Sequence, residues 1–171
     1  MFKLSRPSKD EYYLNIAKAV SARSTCLRRK FGAVIVKDDV IVSTGYNGPA
    51  RGVVNCQEVG CLKNELNIPS YTGYDYCIAV HAEENAIINA ARHGAEVKDS
   101  TLYLYGETVP DGKITEANPC KRCRRAIINS GIIRVVIRKS ASEIKDFNVS
   151  EWVDEDTEFY LEEFKKARRV K

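Results

Sequence analysis

Between residues 82 and 138 the sequence alternates twice between a helical period and a short apolar strand, and both helices open on side chains that bind metals. Over 82–93, Ala86, Ile87, Ala90 and Ala91 fall on one helical face, and Gly94 stands where a left-handed C-cap is wanted. Residues 101–105 read as a strand and 106–118 as a polar loop turning at Pro110-Asp111-Gly112. Residues 120–130 form a second helix closed by Gly131, and 132–138 the next strand. Such alternation calls for helices layered on a sheet, joined by right-handed crossovers. The expected class is α/β, a three-layer α/β/α sandwich around a mixed sheet.

Upstream, Ser8-Lys9-Asp10-Glu11 is a capping box that starts a helix over 8–24 on Leu14, Ala17, Ala19 and Val20. Residues 32–37 form a strand, Asp38-Asp39 a turn, and 40–46 the hairpin partner. Residues 47–80 show no period; a stretch this long, rich in Gly, Asn, Pro and Tyr, needs something to hold it. Residues 154–169 run from acidic to basic, as the helix dipole favours. The expected organisation is one domain over 1–171, with its core at about 8–139 and a C-terminal helical extension at about 154–169.

Asn118-Pro119-Cys120-Lys121-Arg122-Cys123 places two thiols in the first turn of a helix, on one side of it. The helix N-terminus and the neighbouring Lys121, Arg122 and Arg124 favour thiolate, and thiolates prefer zinc among common divalent ions. His81, one of only two histidines, opens the preceding helix. Helices that follow neighbouring parallel strands begin at the same edge of a sheet, so His81 can meet the thiol pair. Three protein ligands leave one tetrahedral position for water, the catalytic arrangement, and zinc brings that water's pKa toward neutrality. Glu83 is then placed to move protons, while Glu84 takes a solvent or packing role. The alternative is that His81 caps its helix and Cys120 and Cys123 form a redox pair.

A net charge of +4 suits an anionic small ligand and does not imply nucleic acid. The first residues, MFKLSRPSKDEYY, hold no apolar signal-peptide core. The longest apolar runs, such as Val135-Val136-Ile137, are too short to span a bilayer. The expected location is the cytoplasm, where the six cysteines serve as thiols or metal ligands rather than in disulfides.

His-x-Glu followed by Pro-Cys-x-x-Cys, each opening a helix, is the signature of zinc nucleobase deaminases. The sequence resembles the deoxycytidylate (dCMP) deaminases of the cytidine deaminase superfamily over about 24–138. The matching pieces are Gly32-Ala33-Val34-Ile35-Val36, Gly45-Tyr46-Asn47-Gly48, His81-Ala82-Glu83-Glu84-Asn85-Ala86-Ile87, Pro119-Cys120-Lys121-Arg122-Cys123 and residues 127–132. The resemblance implies a cytidine deaminase-like fold and a catalytic zinc ion on His81, Cys120 and Cys123. It further implies Glu83 as the catalytic proton carrier and hydrolysis of dCMP to dUMP with release of ammonia. By the same resemblance Asn47 contacts the sugar, and the backbone around Ala82 meets the pyrimidine carbonyl. Family members often form hexamers and many are regulated by dCTP and dTTP. The implied partners are therefore a nucleotide substrate and further copies of the chain, with no membrane and no nucleic acid.

Several dCMP deaminases carry a second, structural zinc, and the corresponding places here hold Cys26, Cys56, Cys61 and Cys77. Four thiolates would close a tetrahedral site and clip the 47–80 segment; the alternative is four unligated cysteines, some in the core. The 106–118 segment is longer than the family's usual passage into Pro-Cys-x-x-Cys and borders the metal ligands, as a lid or as an altered substrate wall. Arg51, Arg138 and Lys139 serve phosphate or are ordinary solvated side chains. Tyr71, Tyr74 and Tyr76 stack a base or pack the long loop. His93 suits its helix dipole. Trp152 and Phe159 pack the last helix onto the body or onto another subunit. Two other functions stay open: a related zinc deaminase acting on another cytosine or purine base, nucleoside or nucleotide, and a non-catalytic zinc-containing nucleotide-binding protein.

Overall fold

In a computed structural model, which describes residues 6–169, the chain begins with α1 (Lys9–Ser21), β1 (Arg29–Lys37) and β2 (Val40–Tyr46). It continues through β3 (Gly48–Pro49), α2 (Cys56–Val59), α3 (Leu62–Glu65), a 3₁₀ turn at Tyr74–Tyr76 and β4 (Ala79–Val80). The remainder is α4 (Ala82–His93), β5 (Thr101–Thr108), α5 (Lys121–Ser130), β6 (Arg134–Arg138), β7 (Ile144–Asn148) and α6 (Val149–Arg169). Successive side chains of a strand face opposite sides of the sheet, and here both sides are apolar. Ala33, Ile35, Leu102, Leu104, Val135 and Ile137 meet Ala86, Ile127 and Trp152 on one face. Val34, Val36, Tyr103, Tyr105 and Val136 meet Tyr13, Leu14 and Ala17 of α1 on the other. The sheet is therefore the middle of three layers, as expected.

Its order is β2-β1-β5-β6-β7, with β5 and β6 parallel and the other pairs antiparallel. Since β1 runs against both β2 and β5, the latter two point the same way. The segments leaving them toward α4 and α5 therefore start at one edge of the sheet, although β1 lies between the strands. Among the described residues no helix is long and apolar enough to cross a membrane.

Several boundaries differ from the sequence reading. The Ser8 hydroxyl accepts from Glu11 N at 3.2 Å, but the Glu11 carboxylate does not complete the capping box; it turns to Arg138 of β6, on the sheet face that α1 covers. The 106–118 segment is not wholly loop. Strand β5 runs on to Thr108, and the chain returns beside it, with Thr115 N bonded to Gly106 O at 3.0 Å. Strand β7 and the first turns of α6 extend the ordered core past residue 139, because Val149 and Trp152 are buried in it and Phe147 packs against it. The 47–80 segment gains short helices and the β3–β4 pair, which ties its two ends together.

Candidate active site

Helix α4 sits unusually close to β2. A side chain at Gly45 would stand 2.3 Å from Ala86 N and 2.5 Å from Ala82 O, so only glycine leaves room for the helix's first turn. Three polar side chains fasten the contact: Ser43 Oγ donates to Ala86 O at 2.6 Å, Asn85 Nδ2 to Tyr46 O at 2.8 Å and Asn89 Nδ2 to Thr44 O at 2.8 Å. His81 is thereby fixed as the N-cap residue of α4, with Glu83 in its first turn. Cys120 is the N-cap of α5 and Cys123 lies one turn further on.

His81 Nδ1 lies 3.7 Å from Cys120 Sγ and 3.3 Å from Cys123 Sγ. Among the described residues these side chains form the one group of metal donors within mutual reach, no more than 4.8 Å apart. A tetrahedral zinc with bonds of about 2.3 Å to sulfur and about 2.0 Å to nitrogen sets such ligands about 3.5 Å apart, and the two observed separations bracket that value. One imidazole and two thiols are also the donors zinc prefers. The residues present fit a zinc ion.

Electrostatics agree with the geometry. The Cys120 thiol is held down to about 3, first by the hydrogen bond from Cys123 and then by His81, against the opposing effect of burial. Cys123, which donates that bond, is pushed up by it and by burial. A bound cation favours thiolate over thiol at both sulfurs. The pKa of His81 is raised, chiefly by Cys120. Burial pushes the Glu83 carboxyl up, so it holds a proton more readily than a surface glutamate.

Glu84, expected in a solvent or packing role, is tied to both helix mouths. Its carboxylate accepts from His81 N at 3.3 Å and pairs with Arg122 at 3.1 Å. It therefore joins the opening turns of the two helices that carry the metal donors.

His81, Cys120 and Glu83 line a cavity of about 170 Å³, with Cys123 fully buried behind them. Phe31, Asn47, Leu104, Ala117 and Asn118 form part of its wall, so the end of the 106–118 segment does border the site. Asn47 is buried, and both ends of its amide are held by β1: Oδ1 accepts from Phe31 N at 2.7 Å, and Nδ2 donates to Arg29 O at 2.9 Å. Ala82 is fully buried at the start of α4. Tyr71 and Tyr74 line the cavity, with the Tyr74 ring 5.8 Å from the His81 ring.

Cys26, Cys56, Cys61 and Cys77 are partly buried and also line this cavity. The Cys56 thiol is pushed up by burial and then by its three neighbours Cys26, Cys61 and Cys77.

Other candidates stand elsewhere. Arg51 donates to Asn89 Oδ1 at 2.8 Å and lines a different cavity, of about 380 Å³, with Arg23 and Asn55. Arg138 lies on the α1 face of the sheet, buried against Glu11, and Lys139 pairs with Glu143. The sequence reading overlooked Arg28, Arg29 and Lys63, all of which line the cavity beside His81. Nothing in local periodicity marks them, since their convergence depends on how the 47–80 segment folds back.

Residues 7–139 match the family model described as the cytidine and deoxycytidylate deaminase zinc-binding region. The chain is 37% identical over 137 residues to a deoxycytidylate deaminase of Schizosaccharomyces pombe, covering 79% of this chain and 38% of that protein. It is 38% identical over 143 residues to the deoxycytidylate deaminase of Mycobacterium phage D29, covering 81% of this chain and all (100%) of that one. The chain spans about two fifths of the length of the two fungal relatives it matches, 38% and 40%. A solved dCMP deaminase from the cyanophage S-TIM5, in complex with dCMP and dUMP, superposes with a TM-score of 0.58 at 26% identity, covering 80% of this chain and 85% of that one. With that family's zinc-binding region matched from residue 7 to residue 139 and its donor triad assembled at the mouths of two helices, this chain belongs to the cytidine and deoxycytidylate deaminase family.

Proposed function

We propose that this chain catalyses zinc-dependent hydrolytic deamination of dCMP, giving dUMP and ammonia. The observation that carries the reading is the grouping of His81, Cys120 and Cys123 within metal-binding reach, with His81, Cys120 and the buried Glu83 lining one cavity. The relatives named deoxycytidylate deaminase support the choice of substrate.

His81, Cys120 and Cys123 would hold the metal and leave a corner for water. Bound zinc supplies Lewis-acid activation there, lowering the pKa of water toward neutrality. Glu83 carries the protons. Its carboxylate accepts one from the attacking water and passes it to ring N3 as C4 becomes tetrahedral; it then takes the remaining proton from the new C4 hydroxyl and delivers it to the amine, which departs as ammonia as the C4 carbonyl forms. Burial, which favours the protonated carboxyl, suits this delivery. Glu84 and Arg122 hold the two helix mouths in register. Asn47, its amide engaged by β1, fixes the backbone at the cavity wall where the reading places the sugar, and Ala82 would offer its backbone to the pyrimidine carbonyl.

A structural zinc on Cys26, Cys56, Cys61 and Cys77 belongs to the same reading. Their common cavity wall supports it; the four thiols do not stand within the mutual reach that the His81 group shows, so binding would draw them together and anchor α2, α3 and the 3₁₀ turn. Metal analysis tests it: two zinc ions per chain support the second site, and one removes it. The reading also includes a single deaminase domain, assembly into a homo-oligomer such as a hexamer, and action in the cytoplasm. Ammonia release from dCMP, dCTP, deoxycytidine, cytosine and guanine tests the substrate. Fast turnover of dCMP is expected; an inert dCMP beside another fast substrate would replace it.

A further inference from the structure

Helix α6 is anchored at one end only. Val149 and Trp152 are buried in the core, and the Phe159 ring still meets the Lys121 ammonium of α5 at 2.9 Å. From Thr157 to Arg169, about 20 Å of helix, every residue is exposed. A helical segment this short is marginal in water on its own and draws its stability from a packed apolar face. Such a face is present. Val153, Thr157, Tyr160, Phe164 and Ala167 recur at alternating spacings of four and three, the period of a coiled-coil seam. The Tyr160 and Phe164 rings stack at 6.2 Å, with the Arg168 guanidinium over Phe164 at 4.6 Å. Yet Tyr160 is 66% exposed and Phe164 46%, and Leu161 beside them is exposed too, so no other element among the described residues covers the seam.

The charge pattern selects the occupant. Glu151, Asp154, Glu155, Asp156 and Glu158 make the charge on the first half of α6 wholly acidic, and Lys165, Lys166, Arg168 and Arg169 make its last turns wholly basic. A second copy of the helix laid antiparallel sets each acidic half on the other's basic half; laid parallel, it would set like on like. With Tyr160 level with the partner's Phe164, Leu161 meets the partner's Leu161, and Asp154 meets the partner's Arg168 along one edge of the seam. Each contact then occurs twice about a two-fold axis, and the pairing closes on itself.

We infer that α6 is a self-association surface, on which two copies of this chain pair antiparallel through Tyr160, Leu161 and Phe164, with Asp154 and Arg168 paired between copies. The inference rests on the reading above only for the expectation that copies assemble, and it gives that assembly a surface and a symmetry. The rival is that the run from acid to base serves the helix dipole alone, in which case exchanging the charges restores nothing.

The test uses full-length, zinc-loaded protein in sedimentation equilibrium over a range of protein and salt concentrations. Wild type should assemble with an even number of chains, and Tyr160→Glu combined with Phe164→Glu should halve that number while zinc content stays the same. Asp154→Arg and Arg168→Glu should each weaken the pairing about 10-fold, since each acts twice across the axis. Both exchanges in one chain should restore it, and added salt should weaken the wild-type pairing. A monomeric wild type, an assembly indifferent to the two glutamates, or a double exchange that restores nothing overturns the inference. Should the glutamate variant fail to fold, the charge exchange decides alone. Ammonia release from dCMP, measured alongside, separates this inference from the reaction. An inactive wild type that still pairs through α6 removes the reaction and leaves the surface; an active one whose assembly ignores α6 removes the surface alone.

Discussion

Gly45→Ala puts the seating of the catalytic helix under direct strain. The added carbon would stand 2.3, 2.5 and 2.8 Å from Ala86 N, Ala82 O and Asn85 C. Carbon contacts are comfortable at about 3.5 Å, so α4 must retreat from β2 by about 1 Å. All three obstacles are helix backbone and cannot swing aside. Overpacking of this kind costs about 1–3 kcal/mol, which for a domain this size lowers the melting temperature by about 3–10 °C. The functional loss should exceed the structural one, because His81 and Glu83 ride on the displaced turn. A misplacement of about 1 Å costs about 100-fold in rate. The assay is a thermal melt paired with kcat/KM for dCMP and zinc content. Gly48→Ala is the control, since its added carbon meets nothing nearer than the Tyr46 ring at 3.7 Å. Gly45→Ala protein that melts with wild type and turns over normally would refute the claim that this close approach positions the site.

Two other perturbations probe the opposite face and the far end of the fold. Asp10 accepts from Arg134 at 2.9 and 3.0 Å and from the Tyr103 hydroxyl at 2.9 Å, and the Arg134 bond foremost holds its carboxyl below the usual range. A carboxylate depressed in the folded state stabilises above its unfolded pKa of about 3.9 and loses that contribution as pH falls through the folded value. Urea unfolding should therefore find Asp10→Asn less stable than wild type at pH 7, with the gap closing below about pH 4; a gap that widens in acid would contradict the pairing. Trp152 is 1% exposed, with Phe147 at 5.5 Å and the Arg124 guanidinium at 4.6 Å. Trp152→Ala should cost about 3–5 kcal/mol in chemical denaturation, and a change under about 1 kcal/mol would mean that α6 is not anchored there.

The sequence made some of this legible for reasons that can be named. Helix α4 ends at Gly94 with φ 67° and α5 at Gly131 with φ 77°, so two left-handed caps were readable as glycines. The meeting of His81 with Cys120 and Cys123 followed from where helices begin on a sheet. Strand β7, IKDFN, was missed because an edge strand with three exposed positions carries little apolar signal. Glu11 kept its capping position but gave its carboxylate to Arg138, a partner 127 residues away that no local pattern reveals. The same holds for Arg28, Arg29 and Lys63. Their side chains converge through a segment without periodicity, whereas Arg51 and Arg138, which the sequence offered as phosphate ligands or solvated side chains, are drawn off to Asn89 and Glu11.

In the proposed reaction three metal donors and one proton carrier divide the labour. Glu83→Gln keeps the shape of the side chain and removes its ability to exchange protons. Zinc per chain and the melting profile should match wild type, while ammonia release from dCMP should fall by about 100- to 10,000-fold, the range for removing a positioned general acid–base group. A Glu83→Gln protein with full zinc and undiminished turnover would contradict that division outright.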